Sequence, residues 1–473
     1  KTILKKINNN FLIEGSVNHN KINVDEKNLN LFVKPLFSKF DIKKIEFSSG
    51  NTFLFEISNK FELNNFEIIS EMLIDELSIT NNFDLKDFFP KIKKDISFLD
   101  NKLIIEYKKN YYSINGKGKV LFQDEKDELE FFINKEDKDI NFKSSLKVKK
   151  NPLSLDFLNY KNNKENEIFL ELEGKHNANN ETLIRKFSFK EDKNKIELKN
   201  LLLNKKFEIV EVESINLNFT DKDKKKNLLK LDKKIDSYHL KGSYFNANKL
   251  IDDLLFDEKE DSKNFNINSK IIVDIDKIQL DNENDLLNFV GEITYKDNQI
   301  IKANLNGNFS DDKKLKFTIN TNQDNKITTL FVDKAEPIVR RYKFIKGFDE
   351  GLLDFYSSKK LDESVSQLKI YDFKLKELPV LTKILTLASL QGIADILSGE
   401  GIRFDEFEMK FKNKGNLMTI EEIYAIGPAI SILMDGYVEK NKLISLRGTL
   451  VPATTINKFI GSLPVLGKIL VGS

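Results

Sequence analysis

Cysteine and tryptophan are absent from this chain, and histidine occurs only three times. Without thiols there is no disulfide framework, no thiolate zinc site and no cysteine nucleophile. The three histidines, His19, His176 and His239, each stand alone among polar residues. They read as exposed turn or strand residues, which leaves histidine catalysis short of material. An excess of one charge is also missing: 76 basic against 74 acidic residues give a formal net charge of +2. A nucleic-acid protein would concentrate basic charge on one face, so nucleic acid is not an expected partner. No basic, apolar, small-residue leader pattern follows Lys1, so the compartment is not legible from a signal.

Motifs that carry chemistry are missing as well. Gly461 to Lys468 imitates a phosphate-binding loop, but five residues separate its glycines where the motif has four. Ile469 also stands where a magnesium-binding Ser or Thr belongs. Gly116-Lys117-Gly118 lacks the third glycine of a dinucleotide fingerprint. Asp281, Glu283 and Asp285 alternate like calcium ligands without the glycine and terminal glutamate that such a loop requires. There is no Gly-x-Ser-x-Gly elbow and no His-Glu-x-x-His pair. No enzyme activity, metal or cofactor is therefore expected.

What remains is material for a core and a pattern that makes sheet. Hydrophobic residues are 40% and charged ones 32% of 473 residues, too apolar for a disordered chain. That length has room for roughly two to four domains. Phe (38) far exceeds Tyr (12); with abundant Lys, Asn and Ile this fits an AT-rich coding source.

Period-two alternation recurs through residues 1–335. Phe53, Phe55 and Ile57 share one face of a strand, with Leu54 and Glu56 on the other. Ile271, Val273 and Ile275 do the same, as do Ile301, Ala303 and Leu305, and Leu315, Phe317 and Ile319. One apolar and one polar face mark an antiparallel sheet covered on one side only. Asn/Asp/Lys clusters at 190–195, 221–227, 296–299, 311–314 and 322–326 read as solvated hairpin tips. Phe289 to Asp333 is thus a meander of four strands. Glycines flanked by apolar residues at i±2 recur at Gly15, Gly242, Gly307, Gly436 and Gly448. They predict either a sharply curled sheet or a close approach to its backbone.

Helical spacing is rare here. Phe66, Ile69, Leu73 and Leu77 fit a helix over Asn65–Leu77, and Asn248–Phe256 fits a second, short one. From Glu336 the texture changes to Gly, Leu, Ile and Pro. Apolar helices are expected at 379–398 and 453–470. Leu378-Pro379-Val380-Leu381-Thr382-Lys383-Ile384-Leu385 is echoed by Leu463-Pro464-Val465-Leu466-Gly467-Lys468-Ile469-Leu470. The expected division is 1–335, a sheet region, and 336–473.

Gly347-Phe348-Asp349-Glu350-Gly351 opens a stretch that ends in Leu446-Arg447-Gly448-Thr449-Leu450-Val451-Pro452-Ala453, Asn457 and Leu463-Pro464-Val465-Leu466-Gly467. From about Gly347 onward the chain resembles the C-terminal region of the AsmA-like family, particularly its YhdP-type members. Gly448, Pro452, Asn457, Pro464 and Gly467 carry the likeness. The resemblance implies a bridge-like lipid-transfer protein of the periplasm, anchored in the inner membrane by a segment outside this sequence. Its long curved antiparallel sheet would fold over into an apolar groove. The expected partner is phospholipid, with membrane contact at one or both ends. Residues chosen as the groove lining are Phe53, Phe55, Ile57, Ile301, Leu305, Phe317 and Ile319. The alternative is a scaffold protein in which the same faces fill a closed β core.

Overall fold

An alternating chain can bury its apolar residues together only by pairing strand against strand. The computed structural model accordingly consists almost wholly of strands. It describes residues 1–7, 10–25, 41–163, 165–256, 268–297, 299–341, 347–376, 401–439 and 443–452. These form two compact units that divide between Lys233 and Lys234. The texture change near Glu336 falls inside the second unit. Of the 25 strands in the large sheet order, 13 belong to the first unit and 12 to the second.

In the first unit, β1 (Thr2–Ile7), β2 (Asn10–Asp25), β3 (Ile42–Ser58) and β4 (Leu63–Thr80) come first. Then follow β5 (Asp95–Lys108), β6 (Tyr111–Leu121), β7 (Asp127–Glu136) and β8 (Asp139–Val148). A two-stranded ribbon, β9 (Ser154–Leu155) and β10 (Tyr160–Lys161), interrupts them. The sheet resumes with β11 (Ile168–His176), β12 (Thr182–Glu191), β13 (Asn194–Leu203), β14 (Ile209–Thr220) and β15 (Lys226–Lys233). Each strand pairs antiparallel with the next, β8 joining β11 across the ribbon. Among the described residues β1 pairs with β2 alone, so this sheet is open.

The predicted helix over Asn65–Leu77 is part of β4. Its helical spacing picked out Ile69 and Leu73, which are 48% and 54% exposed, whereas Ser70 and Ile74 on the opposite parity are buried. Cross-strand pairing with β3 and β5 overrides a local three-and-four coincidence.

Four loops of this unit share one hairpin geometry: Ser58–Glu62, Asn177–Glu181, Asn204–Glu208 and Asp221–Lys225. In each, the first N–H donates to the fifth carbonyl, at 2.9, 2.9, 3.0 and 3.0 Å. The first side chain caps the third and fifth N–H groups. The fourth residue is left-handed: Phe61, Asn180, Phe207 and Lys224 have φ of 63°, 61°, 60° and 61°.

The second unit holds β16 (Ser237–Asn246), helix α1 (Asn248–Phe256), β17 (Ser269–Gln279), β18 (Asp285–Lys296), β19 (Gln299–Phe309), β20 (Lys314–Asn322) and β21 (Asn325–Val332). Short α2 (Glu336–Val339) precedes β22 (Phe348–Lys360), β23 (Glu363–Leu375), β24 (Ile402–Lys414), β25 (Leu417–Ile426), β26 (Ile430–Glu439) and β27 (Leu443–Pro452). The meander from Phe289 to Asp333 has its four strands, and α1 occupies the short helix expected there. One pair departs from the antiparallel expectation: β16 and β17 are parallel. Parallel neighbours need a long crossover, and residues 247–268 separate these two. Among the described residues β27 pairs only with β26, so this sheet is open too. Both expected apolar helices, 379–398 and 453–470, lie outside the described residues.

Candidate functional site

In each unit the loops at one end of the strands fill the apolar face with the protein's own side chains. In the first, the segment after β8 brings Leu153 and Tyr160 against Val148, Ile168, Phe189, Ile196 and Phe219. Tyr160 meets Phe189 edge-on, ring centroids 5.2 Å apart. Its hydroxyl donates to the Glu191 carboxylate. Glu191 also accepts from the Asn163 N–H at 2.8 Å and Asn194 Nδ2 at 3.0 Å. Burial, then this contact, pushes the Tyr160 phenol far up. In the second unit, Phe348, Phe373 and Phe404 stack at 5.3 and 5.2 Å. The Ala335 N–H donates to Gly351 O at 2.8 Å, which holds α2 by these rings. These ends are closed cores.

Away from the closed ends, the same face carries half-buried hydrocarbon beside buried residues such as Ala303, Ile319 and Phe411. In the second unit the register aligns Leu305, Phe317, Leu330, Phe355, Leu368, Met409, Ile423 and Met434 side by side. This row crosses β19 to β26, and every member is half-buried. Seven steps of about 4.8 Å make it about 34 Å long. The first unit has a counterpart running Ile105, Ile114, Ile133, Phe142, Gly174, Ile184 and Leu201. The opposite face of the second unit carries ion pairs, with Val290, Phe331, Tyr356, Val365 and Leu433 exposed among them. Lys302 lies 3.5 Å from Glu292, Lys410 3.1 Å from Glu422, and Arg447 3.0 Å from Asp435. The hydrogen bond from Lys270 holds the Glu292 carboxyl below its usual range.

The seven residues expected to line a groove fall on these faces. Phe53, Phe55 and Ile57 lie on one face of β3, half-buried, with the first two rings stacked at 5.8 Å. Leu305 and Phe317 are direct cross-strand partners within the long row. Ile319 pairs with Ala303, and both are buried, at 6% and 3% exposure. Ile301 sits where the β18–β19 register shifts. The two groups of residues belong to different units.

Of the recurrent glycines, Gly15 and Gly307 receive neighbouring side chains, whereas Gly436 and Gly448 lie closest to the backbone carbonyls of Ser445 and Leu433 on the paired strand. A Cβ on Gly15 would lie 2.6 Å from Phe53 Cζ, and one on Gly307 would lie 3.1 Å from Phe289 Cδ2. Gly116 and Gly174, outside the predicted set, receive Phe131 and Phe142 in the same way. At these four positions, Gly15, Gly116, Gly174 and Gly307, the space is occupied by rings of adjacent strands. Of the family-motif residues, Gly448 lies opposite Met434 and Pro452 ends β27 opposite Ile430. Asn457, Pro464 and Gly467 lie outside the described residues.

Sequence reasoning missed a polar margin on the apolar face of the second unit. Thr321, Lys326, Lys359, Ser364 and Asn413 are aligned in register, one beside the next, across β20 to β24. Their signal was parity: Lys326 shares its face with Leu330 and Val332, although it follows an Asx-rich tip. His19 is exposed, His239 half-buried, and His176 Nδ1 lies 2.9 Å from Thr182 Oγ1. Asp281 Oδ1 accepts from the Glu283 and Asn284 N–H groups at 2.9 and 2.8 Å, so its carboxylate closes a turn. Among the described residues no His/Cys/Asp/Glu cluster could hold a metal, and no helix is long and apolar enough to cross a membrane. Comparison with protein-family models and with curated proteins finds no match to this chain.

Proposed function

We propose that this protein is a passive conduit for phospholipid between the inner and outer membranes, working through the apolar face of its sheet. The observation that carries the reading is the row from Leu305 to Met434. Its eight half-buried apolar side chains are uninterrupted by any polar residue. Its length of about 34 Å is roughly twice the ~15 Å that one leaflet's acyl chains occupy. A sixteen-carbon chain in water faces about 12 kcal/mol at ~0.8 kcal/mol per CH₂. A hydrocarbon wall removes that cost continuously, without chemistry. The likeness of the C-terminal region to the AsmA-like family supports the periplasm as the setting, with an inner-membrane anchor supplied by sequence outside this chain. Contribution to outer-membrane lipid homeostasis follows from that placement.

The closed clusters around Tyr160 and Phe373 favour a second reading, a scaffold whose sheets enclose dry cores. Mass spectrometry of lipid extracted from the purified protein separates the two. Phospholipid should co-purify, and Phe317→Asp or Ile301→Asp should remove it while the protein stays soluble. Insoluble or unfolded variants would show an ordinary core, where an unpaired charge costs several kcal/mol.

A further inference from the structure

The margin beside the apolar row contains polar groups that the fold leaves unanswered. Lys326 and Lys359 face each other directly across β21 and β22, and like charges so placed destabilise a sheet. Among the described residues no carboxylate lies within ion-pair reach of either, whereas Lys302, Lys369 and Lys410 on the opposite face are paired with Glu292, Glu408 and Glu422. Burial first, and then Lys359, draws the Lys326 ammonium below its ordinary pKa. Beside Lys326 in register is Thr321, whose Oγ1 is buried with no hydrogen-bond partner among the described residues. The next row inward holds Thr328, Ser357 and Ser366, with Ser366 Oγ donating to Ser357 Oγ at 2.9 Å. At the far end, Asn413 Nδ2 donates to Ser364 Oγ at 3.5 Å.

Half-buried Lys326, exposed Lys359 and the hydroxyl of Thr321, none with an ion-pair or hydrogen-bond partner for these groups among the described residues, stand in one line that suits a small anion. Lysine serves phosphate as a point charge, and hydroxyls complete its acceptors. Lys326 is offset from Leu330, and Lys359 from Phe355, by four strand positions, or about 13 Å along the strands. A hydrocarbon wall and a polar margin at that spacing match an amphiphile with its head at the margin and its chains reaching along the strands to the wall. We infer that Lys326, Lys359 and Thr321 bind the phosphate of a lipid headgroup whose chains rest on the Leu305–Met434 row. This rests on the phospholipid reading and assigns its headgroup to named residues.

The test uses the full chain with three probes, dihexanoyl-phosphatidylglycerol, dihexanoylglycerol and inorganic phosphate, titrated by calorimetry. The phosphatidyl lipid should bind more tightly than the phosphate-free diacylglycerol. Lys326→Met and Lys359→Met should each weaken it roughly tenfold, as expected for charge-assisted hydrogen bonds, leaving diacylglycerol unchanged. Thr321→Val should weaken the phosphatidyl lipid while melting no lower than the parent, because it removes a buried orphan hydroxyl. Equal binding of the two lipids, or variants that lose nothing, overturns the headgroup assignment and leaves the apolar wall standing. Lysine-dependent binding of inorganic phosphate with no binding of either lipid overturns both the headgroup assignment and the conduit.

Discussion

Replacing Phe61 and Phe207 by asparagine should make this protein more stable. Both occupy the left-handed fourth position of a five-residue loop whose other two examples in the same unit place Asn180 and Lys224 there. Left-handed backbone costs an L-residue about 1–2 kcal/mol, a penalty that Asn relieves by bonding locally. The rings recover little of it, since Phe61 is 87% and Phe207 68% exposed. Taking about 0.5–1 kcal/mol per site, the double variant gains about 1–2 kcal/mol, and the two sites, on separate hairpins, should add. For a unit of this size that is a rise in Tm of roughly 2–8 °C, measurable by far-ultraviolet circular dichroism. Asn180→Phe supplies the reverse control and should lower Tm by a similar step. An unchanged or lower Tm in the double variant would refute the argument, because it would mean the rings contribute packing that their exposure denies.

Other substitutions probe the faces directly. Gly116→Ala should cost about 1–3 kcal/mol in urea unfolding, since its Cβ would sit 2.4 Å from the Phe131 ring and 2.8 Å from Leu103. Tyr160→Phe should lower stability by about 1.5–3 kcal/mol, the cost of removing a donor from a carboxylate that is 2% exposed; a neutral result would show that the donors from Asn163 and Asn194 suffice for Glu191. Lys326→Met should raise Tm at neutral pH. Because the folded pKa of Lys326 lies below its unfolded value, its destabilising contribution is full below the folded pKa and fades as pH rises through the unfolded one. The gap between variant and parent should therefore shrink between neutral pH and about pH 11, and a gap independent of pH would exclude charge as its origin.

Much of the fold was legible because the alternation of Phe53–Phe55–Ile57 or Ile301–Ala303–Leu305 fixes both strand and face without reference to anything distant. Hairpin tips such as 311–314 were readable for the same reason, as Asx residues bond their own backbone. What sequence could not supply is register. Only pairing shows that Leu305, Phe317, Leu330 and Phe355 stand shoulder to shoulder, or that Lys326 meets Lys359. The helix drawn over Asn65–Leu77 failed because β4 carries apolar residues on both parities, Ile68 and Ile74 on one and Ile69 and Leu73 on the other. Strand direction was equally hidden at β16 and β17, where a crossover replaces a hairpin. The glycines were visible as a pattern, but their tenants, Phe53 at Gly15 and Phe289 at Gly307, come from other strands.

The apolar row runs at right angles to the strands, so its extent is counted in hairpins and is indifferent to how long any strand grows. Inserting one further hairpin would advance it by about 10 Å and, because two strands are added, would return the chain to the same margin with inward and outward residues in step. Evolution can therefore lengthen or shorten such a wall by duplicating or deleting whole hairpins, while the filled ends are left untouched.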